Sequence, residues 1–292
     1  MIELRGVTVR YGETVAVDAI DLELPPGKIY GLLGRNGSGK TSLLSALASY
    51  RKPSAGAVFV DGEPAFENPR VVRQTSFIRD TLDLNDSDRV RTALDIASWL
   101  RPTWDADYAA KLVDVFQLDT RKRVSSLSRG QRSMLGVVLG LASRAALTIL
   151  DESYLGMDAV ARTLFYRELL ADYLAHPRTI VLSTHLIDEV ADLFERVIIM
   201  DRGRILLHDE TDSLRGRGVT VTGQAERVTA FAAGHTVLGE QSLGGVRALT
   251  LDGRLDPGDI LLGEREGLTF GPLGLQDLFV HLTSQQPLEA SR

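Results

Sequence analysis

Residues 34–41, GRNGSGKT, place glycines, a lysine and a hydroxyl side chain in the spacing G-x-x-x-x-G-K-[ST]. The apolar run 29–33 before them predicts a buried strand, and Leu43 and Leu47 after them recur at helical spacing. A strand before the glycines and a helix after them is the context in which this spacing builds a phosphate-binding loop. We therefore predict that the loop binds a nucleoside triphosphate, rather than being a glycine-rich turn that happens to precede a lysine.

The residue types in this loop suggest what each part would do. Glycines allow successive backbone N–H groups to turn inward around a polyphosphate, and the following helix adds the positive end of its dipole. Lys40 would reach the β- and γ-phosphates, and the Thr41 hydroxyl would bind Mg²⁺. A nucleoside triphosphate and Mg²⁺ are the expected ligands.

A second pair of chemically useful residues, Asp151 and Glu152, follows the apolar run 146–150. Carboxylates at the carboxyl end of a buried strand lie at the sheet edge where ligands of such folds bind. Asp151 is placed to hold Mg²⁺, and Glu152 to act as general base for an attacking water. The alternative is a solvated acidic loop after a strand, which the phosphate-binding loop upstream makes the weaker interpretation.

A third stretch begins a helix. Ser128 is a favourable N-cap residue, and Gln131, three positions later, completes the pattern of a capping box. Such a helix start presents backbone N–H groups to an anion. Capping boxes are common, so this pattern alone predicts only a well-capped helix.

The elements that must position these residues alternate between strands and helices over the first 217 residues. Several of the strands are uniformly apolar, which predicts a parallel sheet covered on both faces. The pattern is helical between residues 88 and 123, around Pro102, and the helical subdomain is expected at about 84–143. A composition change near Arg217 predicts a boundary, followed by a small α+β domain over 218–292 that ends in a polar tail.

Composition narrows the classes of function. The chain of 292 residues has a net charge of −6 and a pI near 5.5, which argues against a nucleic-acid-binding protein. It contains no cysteine, so it has neither disulfides nor cysteine-ligated zinc. The N-terminus has no apolar targeting region, and the longest apolar stretch, 134–142, is too short to cross a bilayer. Any role at a membrane is therefore expected to act through a partner.

The phosphate-binding loop, the LSRGQ segment 127–131 and the strand ending in Asp151 and Glu152 together resemble the nucleotide-binding subunits of ATP-binding cassette (ABC) transporters, in order and in spacing. Three further family motifs match: the adenine-stacking aromatic at Tyr11, the loop 155–158, and the histidine after the next strand, His185. The resemblance covers residues 2 to about 214. A weaker match at 275–279 is similar to the tail helix of the drug- and antibiotic-export (ABC-2 type) branch.

The resemblance implies an α/β fold of the P-loop NTPase type: a mostly parallel central sheet, an antiparallel β subdomain and a helical subdomain. It also implies roles for residues at matching positions. Glu152 and His185 would be catalytic, Asp158 would belong to a loop that contacts a second copy, and the signature residues Ser128, Arg129, Gly130 and Gln131 would act in trans. The nucleotide would contact Tyr11, Gly34, Arg35, Asn36, Gly37, Ser38, Gly39, Lys40, Thr41 and Ser42, and the metal Thr41, Asp151 and Asp80.

For two of these residues, a purely structural role is an alternative to the functional role. His185 would hold the γ-phosphate or the attacking water, although a single histidine is more often structural. Tyr11 would stack on adenine, although it could equally be a core or turn aromatic.

Three positions depart from the family pattern. Asp80 stands where a glutamine is usual; it would bind Mg²⁺ more strongly but repel the γ-phosphate, and a surface turn with an Arg79–Asp80 pair is an equal alternative. Ser153 replaces a proline, which should loosen that turn slightly. Arg129 replaces the first glycine of the signature, where it would either attract the partner's nucleotide or only cover the surface.

As implied by the resemblance, two copies, or this chain and a second ABC ATPase subunit, would sandwich ATP and Mg²⁺ between them. They would drive separate transmembrane permease subunits from the cytoplasmic face of the membrane, with export as the expected direction and no nucleic-acid partner. Residues 88–123 would receive the permease, and Trp99 and Trp104 would suit that groove if exposed. The alternative is a soluble ABC ATPase, such as one acting in iron–sulfur assembly.

Overall fold

The computed structural model describes residues 1–81, 83–215 and 217–284. Contacts divide the chain into two compact units, one formed by residues 1–185 and 200–205, the other by residues 186–199 and the chain from Leu206 onward. The domain boundary near Arg217 stays a prediction. The predicted polar tail, at residues 285–292, lies outside the described residues.

The first 217 residues alternate strands and helices as the sequence predicts. The strands are β1 (Ile2–Tyr11), β2 (Thr14–Leu24), β3 (Ile29–Leu33), β4 (Ala55–Val60), β5 (Glu63–Pro64), β6 (Thr75–Arg79), β7 (Leu147–Asp151), β8 (Thr179–Thr184), β9 (Arg196–Asp201) and β10 (Arg204–Glu210). The helices are α1 (Lys40–Leu47), α2 (Pro69–Arg73), α3 (Val90–Leu100), α4 (Ala106–Val115), α5 (Arg129–Ala142), α6 (Ala159–Ala175), α7 (Ile187–Val190) and α8 (Thr211–Arg215).

The core of the first unit is a parallel sheet in which the neighbouring strands run in the order β6, β7, β8, β3. Every residue of β3, β7 and β8 is buried. Strands buried on both faces need uniformly apolar sequences, which is why these segments lack the alternation of a surface strand. A separate antiparallel sheet has the order β2, β1, β4, β5.

Helices α3, α4 and α5 make up the predicted helical subdomain. The sequence prediction that Pro102 separates two helices is confirmed, because α3 ends at Leu100 and α4 begins at Ala106. Helix α5 packs closely on β6: a Cβ added at Gly140 would lie 2.8 Å from the Ile78 side chain. On α3, Trp99 is 81% exposed, whereas Trp104 is partly buried.

Within the second unit, the described residues 218–272 form strands and helices in the order β11 (Gly218–Gln224), α9 (Ala225–Phe231), β12 (Val237–Leu243), β13 (Val246–Asp252), α10 (Pro257–Arg265) and β14 (Thr269–Pro272). The strands form an antiparallel sheet in the order β12, β13, β11, β14. This βαββαβ arrangement is the ferredoxin-like, or split βαβ, topology. Its core contains Val221, Val228, Leu249 and Leu251, and helix α11 (Leu275–Ser284) follows it.

Among the helices of the described residues, none is both long enough and apolar enough to pass through a lipid bilayer.

Candidate functional site

The register of the parallel strands places their carboxyl ends at one edge of the sheet. Arg79, the last residue of β6, pairs with Asp151 at the end of β7, and Asp151 pairs with Ser183 near the end of β8. Leu33, the last residue of β3, pairs with Thr184. The residues that follow these ends are Asp80, Glu152, Gly34 and His185, so positions from four separate parts of the sequence meet at this edge.

The phosphate-binding loop between β3 and α1 is closely packed at its glycines. A Cβ at Gly34 would lie 2.6 Å from the carbonyl oxygen of Met200. Gly39 has a left-handed φ of +102°, and its Cβ would lie 2.2 Å from the carbonyl oxygen of Ala16. Only glycine fits at these two positions, because backbone atoms cannot give way as a flexible side chain can. A side chain at either position would push the loop away from these backbone atoms.

Lys40, the first residue of α1, is buried, and its ammonium group lies inside the loop. It donates hydrogen bonds to the carbonyl oxygens of Gly34, at 2.8 Å, and Arg35, at 3.2 Å. Its Nζ is also 3.6 Å from Oε1 of Glu152. Three nearby oxygens hold this cation where the loop curves, which is where a lysine can bind the terminal phosphates of a nucleotide.

Asp151, which ends β7, is only 4% exposed. Burial raises the pKa of its carboxyl group above the ordinary value, while the hydroxyl groups of Thr41 and Ser183 act in the opposite direction. Within the described part of the chain, Oδ1 of Asp151 is buried without a hydrogen-bond partner. An orphaned carboxylate oxygen beside the Thr41 hydroxyl suits a cation that prefers oxygen ligands.

These donors fit Mg²⁺ better than a metal held entirely by the protein. Over residues 1–81, 83–215 and 217–284, no cluster of three or more His, Cys, Asp and Glu side chains could hold a metal ion. Mg²⁺ is usually bound by one or two carboxylates together with substrate phosphates and water. Thr41 and Asp151 would be its protein ligands.

We expect the Asp151→Asn variant, without nucleotide or Mg²⁺, to be more stable than the natural chain at neutral pH by about 1 kcal/mol. A carboxyl group whose pKa is raised by folding binds protons more readily in the folded state, so its ionisation costs stability as pH rises. The advantage of the variant should begin to shrink as pH falls through the raised folded pKa, and it should vanish below the ordinary pKa of the unfolded chain. Thermal unfolding with a chelator over a pH series measures this.

The control is Asp114→Asn, since Asp114 is exposed on α4. Its effect on thermal unfolding should be small at every pH. A stability gain in Asp151→Asn that is the same at all pH values would contradict the assigned cause.

Glu152 lies between the lysine of the loop and the predicted catalytic histidine. Its Oε2 is 3.5 Å from Nδ1 of His185, and its Oε1 is the atom near Lys40. Its backbone N–H donates to the carbonyl oxygen of Ser183 at 3.2 Å, and its φ of +47° is uncommon for a non-glycine residue. Backbone strain of this kind is concentrated at functional sites, where it aims a side chain. Glu152 is thus positioned as a general base would be.

Tyr11 ends β1, and its ring is half-exposed. The guanidinium group of Arg51 lies 3.9 Å from the centre of the ring, a cation–π contact. The Tyr11 hydroxyl accepts a hydrogen bond, at 3.3 Å, from the hydroxyl group of Ser42 on α1. Tyr11 is therefore not a core aromatic, and its exposure leaves ring surface for a planar ligand.

The helix start predicted at Ser128 is confirmed. The N–H of Gln131 donates to Oγ of Ser128, and the N–H of Ser128 donates to Oε1 of Gln131, both at 3.2 Å. This capping box leaves Ser128 exposed at the N-terminus of α5.

Helix α5, which begins with the signature residues, packs against the loop 155–158. A Cβ at Gly130 would lie 2.4 Å from the carbonyl oxygen of Gly156, so this approach requires glycine. Ser133 also donates to the carbonyl oxygen of Leu155 at 2.5 Å. At the end of the loop, Asp158 caps α6 by accepting the N–H of Ala161 at 2.8 Å. The start of α5 and the loop 155–158 are therefore joined by close backbone packing and a hydrogen bond.

Two of the departures from the family pattern lie next to each other. Arg129 Nη2 is 3.8 Å from Oδ2 of Asp80, so the residue replacing the usual glutamine faces the residue replacing the first signature glycine. Both side chains are well exposed, and an ion pair of this kind contributes little stability. The role of Asp80 as a metal ligand stays a prediction.

One cavity of about 450 Å³ collects most of the predicted nucleotide and metal residues. Its lining includes Asn36, Gly37, Gly39, Lys40, Thr41, Ser42, Asp80, Asp151 and Glu152. Among the described residues that line it, Ser128, Gly130, Gln131 and Asp158 are absent. Ser128, Gly130 and Gln131 are therefore not brought to this cavity by their own chain, and Arg129 only faces Asp80 of its lining.

Sequence reasoning did not single out two residues of the site, Tyr154 and Arg51. Tyr154 is buried, and its hydroxyl is 3.0 Å from Nδ1 of His185, a residue 31 positions away. Arg51 covers one side of the Tyr11 ring. No local pattern could have found either contact, because each joins segments that only the fold brings together.

Comparison with known proteins agrees with this geometry. The family model described as ABC transporter matches residues 17–154. The chain is 31% identical to Nod factor export ATP-binding protein I of Cupriavidus metallidurans, over 98% of each chain. It is 30% identical to a daunorubicin/doxorubicin resistance ATP-binding protein of Streptomyces peucetius, over 73% of this chain and 66% of that protein.

Solved structures show the same fold. The ATP-binding subunit of an ABC transporter superposes with a TM-score of 0.66 at 21% identity, over 74% of this chain and 92% of that one. A dimeric post-hydrolysis ATP-binding cassette with ADP and Pi gives a TM-score of 0.64 at 19% identity, over 72% and 99%. The chain belongs to the ABC transporter family. It is an ATP-binding and ATP-hydrolysing subunit of that family.

Proposed function

We propose that this chain is the motor subunit of an exporter, in which two cassettes bind and hydrolyse ATP to move separate transmembrane subunits. The observation that carries the proposal is the convergence of Lys40, Asp151, Glu152 and His185 at the carboxyl edge of one parallel sheet. Export is supported by the names of the relatives, one for Nod factor export and one for drug resistance.

In the proposed reaction, the loop N–H groups and the Lys40 ammonium bind the β- and γ-phosphates of ATP, and Tyr11 stacks on the adenine. When bound by Thr41 and Asp151, Mg²⁺ would neutralise charge on the phosphates. Glu152 takes a proton from the attacking water, and His185 donates a hydrogen bond to the γ-phosphate or orients that water. The proximity of Glu152 to both Lys40 and His185 supports this division of roles.

The signature residues act on the ATP bound by a second cassette. Ser128 is exposed at the N-terminus of α5, where a helix start favours an anion, and it does not line the cavity of its own chain. In a head-to-tail pair each such helix start would complete the site of the other subunit. The loop 155–158, packed against Gly130, would connect the two sites.

The transmembrane subunit is proposed to dock beside α3. A cavity of about 290 Å³ lies between β6 and α3, with Phe77, Ile96 and Leu100 in its lining. Three apolar side chains of α3, Ile96, Trp99 and Leu100, are exposed. Because the loop after β6 carries Asp80, a partner helix in this groove would lie close to the nucleotide site. Docking would place the chain at the cytoplasmic face of the membrane.

Leu100→Arg is expected to abolish association with the transmembrane subunit while leaving the ATPase activity of the isolated chain within about twofold of the natural value. Leu100 is 68% exposed, so the arginine should not disturb folding, but it would bring a charge into an apolar interface. The measurement is co-purification of the transmembrane subunit from membranes that contain both proteins.

The matched control is Leu174→Arg, on α6, where the leucine is 70% exposed and does not line the groove. It should retain the partner. If both variants retain the transmembrane subunit equally, the docking surface does not include Leu100 and the proposed location is wrong. If the natural chain co-purifies with no integral membrane protein, the alternative of a soluble ABC ATPase, such as one in iron–sulfur assembly, becomes the better account.

A further inference from the structure

The hydroxyl group of Tyr154 lies at a junction between the loop after β7 and the end of β8. Tyr154 is only 2% exposed. Its hydroxyl oxygen is 3.1 Å from Oγ1 of Thr184, 3.2 Å from the backbone nitrogen of His185 and 3.0 Å from Nδ1 of the same histidine. The tyrosine thus contacts both the backbone and the ring of the predicted catalytic histidine.

The donor at each of these contacts follows from the chemistry of the groups. A backbone N–H can only donate, so the phenol oxygen accepts from His185, and Thr184 also donates to it. With two hydrogens directed at the oxygen, the hydroxyl hydrogen of Tyr154 is turned toward an acceptor. Nδ1 of His185, at 3.0 Å, is placed to accept it.

We propose that Tyr154 is a positioning residue that holds neutral His185 with Nδ1 as hydrogen-bond acceptor and the ring proton on Nε2. This tautomer puts the N–H donor on Nε2, and the His185 side chain as a whole is 40% exposed, so the ring is accessible to a phosphate oxygen. The opposite tautomer would present a lone pair to the phosphate and repel it. The consequence for ATP turnover rests on the function proposed above for His185, whereas the tautomer itself does not.

The carboxylate of Glu152 competes for the same nitrogen. Its Oε2 is 3.5 Å from Nδ1, and a carboxylate favours a hydrogen on the nitrogen that it faces. In the natural chain the nearer phenol hydroxyl occupies Nδ1 and opposes this effect. Without the hydroxyl, Nδ1 is left to Glu152, and the ring proton should move to Nδ1. Tyr154 therefore sets which nitrogen of His185 donates.

The test is the ¹⁵N NMR spectrum of the full chain labelled at histidine, in which a nitrogen that carries hydrogen and one that does not have well-separated shifts. The chain contains five histidines, and His185→Gln identifies the signals of His185. At a pH where His185 is neutral, Nδ1 should be unprotonated in the natural chain and protonated in Tyr154→Phe. The kcat of Tyr154→Phe for ATP should fall about tenfold, with little change in KM.

The matched control is Tyr108→Phe, which removes a hydroxyl that donates to the carbonyl oxygen of Glu168 at 3.3 Å in the helical subdomain. Its His185 signals and kcat should equal those of the natural chain. A protonated Nδ1 in the natural chain overturns the proposal, even where Tyr154→Phe fails to fold. An unchanged tautomer in a folded Tyr154→Phe also overturns it.

The two proposals fail in different ways. If His185→Gln hydrolyses ATP at the natural rate, the catalytic role of His185 is wrong, while the tautomer found by NMR still stands. If His185→Gln is inactive but the tautomer does not depend on Tyr154, only the positioning role is lost.

Discussion

Replacing Glu152 with glutamine is expected to lower kcat for ATP hydrolysis by 10²- to 10⁴-fold, the range typical for loss of a general base. Glutamine keeps the shape of the side chain but cannot accept a proton from water. It also removes the carboxylate charge that lies 3.6 Å from Nζ of Lys40. The Lys40 ammonium is then attracted by the phosphates of ATP and no longer also by Glu152. We therefore expect ATP to bind at least as tightly while its hydrolysis nearly stops.

The same variant should accumulate an ATP-bound dimer, because the sandwiched nucleotide is no longer cleaved. Size-exclusion chromatography with and without ATP, alongside a steady-state ATPase assay, measures both effects. The control is Glu23→Gln, which makes the same change at an exposed position of β2. A Glu152→Gln chain that stays monomeric with saturating ATP would count against a site shared by two copies.

Ser128→Asp is expected to reduce ATPase activity at least 100-fold while the chain keeps its fold and its affinity for ATP in the monomer. Aspartate is as good an N-cap as serine, so α5 keeps a cap that contributes about 1 kcal/mol. In the shared site, however, its carboxylate would face the γ-phosphate bound by the partner. Two like charges a few ångströms apart in a water-poor interface repel strongly, and this opposes closure of the dimer.

Specific activity at rising protein concentration is the measurement that separates a shared site from a self-contained one. The natural chain should become more active per molecule as dimers form, and Ser128→Asp should stay inactive throughout. Ser125→Asp adds the same charge at a nearby exposed position without capping α5, and it should behave like the natural chain. If Ser128→Asp is fully active, or if the specific activity of the natural chain does not depend on protein concentration, one copy hydrolyses ATP alone.

Much of the candidate site could be predicted from sequence because its signals are local. The strand, glycine loop and helix around Lys40 are contiguous, and the capping box of Ser128 spans four residues. The acidic pair Asp151 and Glu152 could be predicted as a site from the apolar strand that directly precedes it. The ferredoxin-like order of the second unit was not predicted, because its glycine-punctuated short strands do not specify which strands pair.

The sequence by itself determined the nucleotide class, the parallel sheet and most of the residues that could do chemistry, but not Tyr154 or Arg51. The tertiary structure alone decided which of them touch. Strand order and loop path bring Glu152 to His185, Tyr154 to the same ring, and Asp80 to Arg129. The reason is physical: hydrophobic periodicity and backbone capping act between near neighbours in the chain, whereas these contacts depend on strand order and loop path.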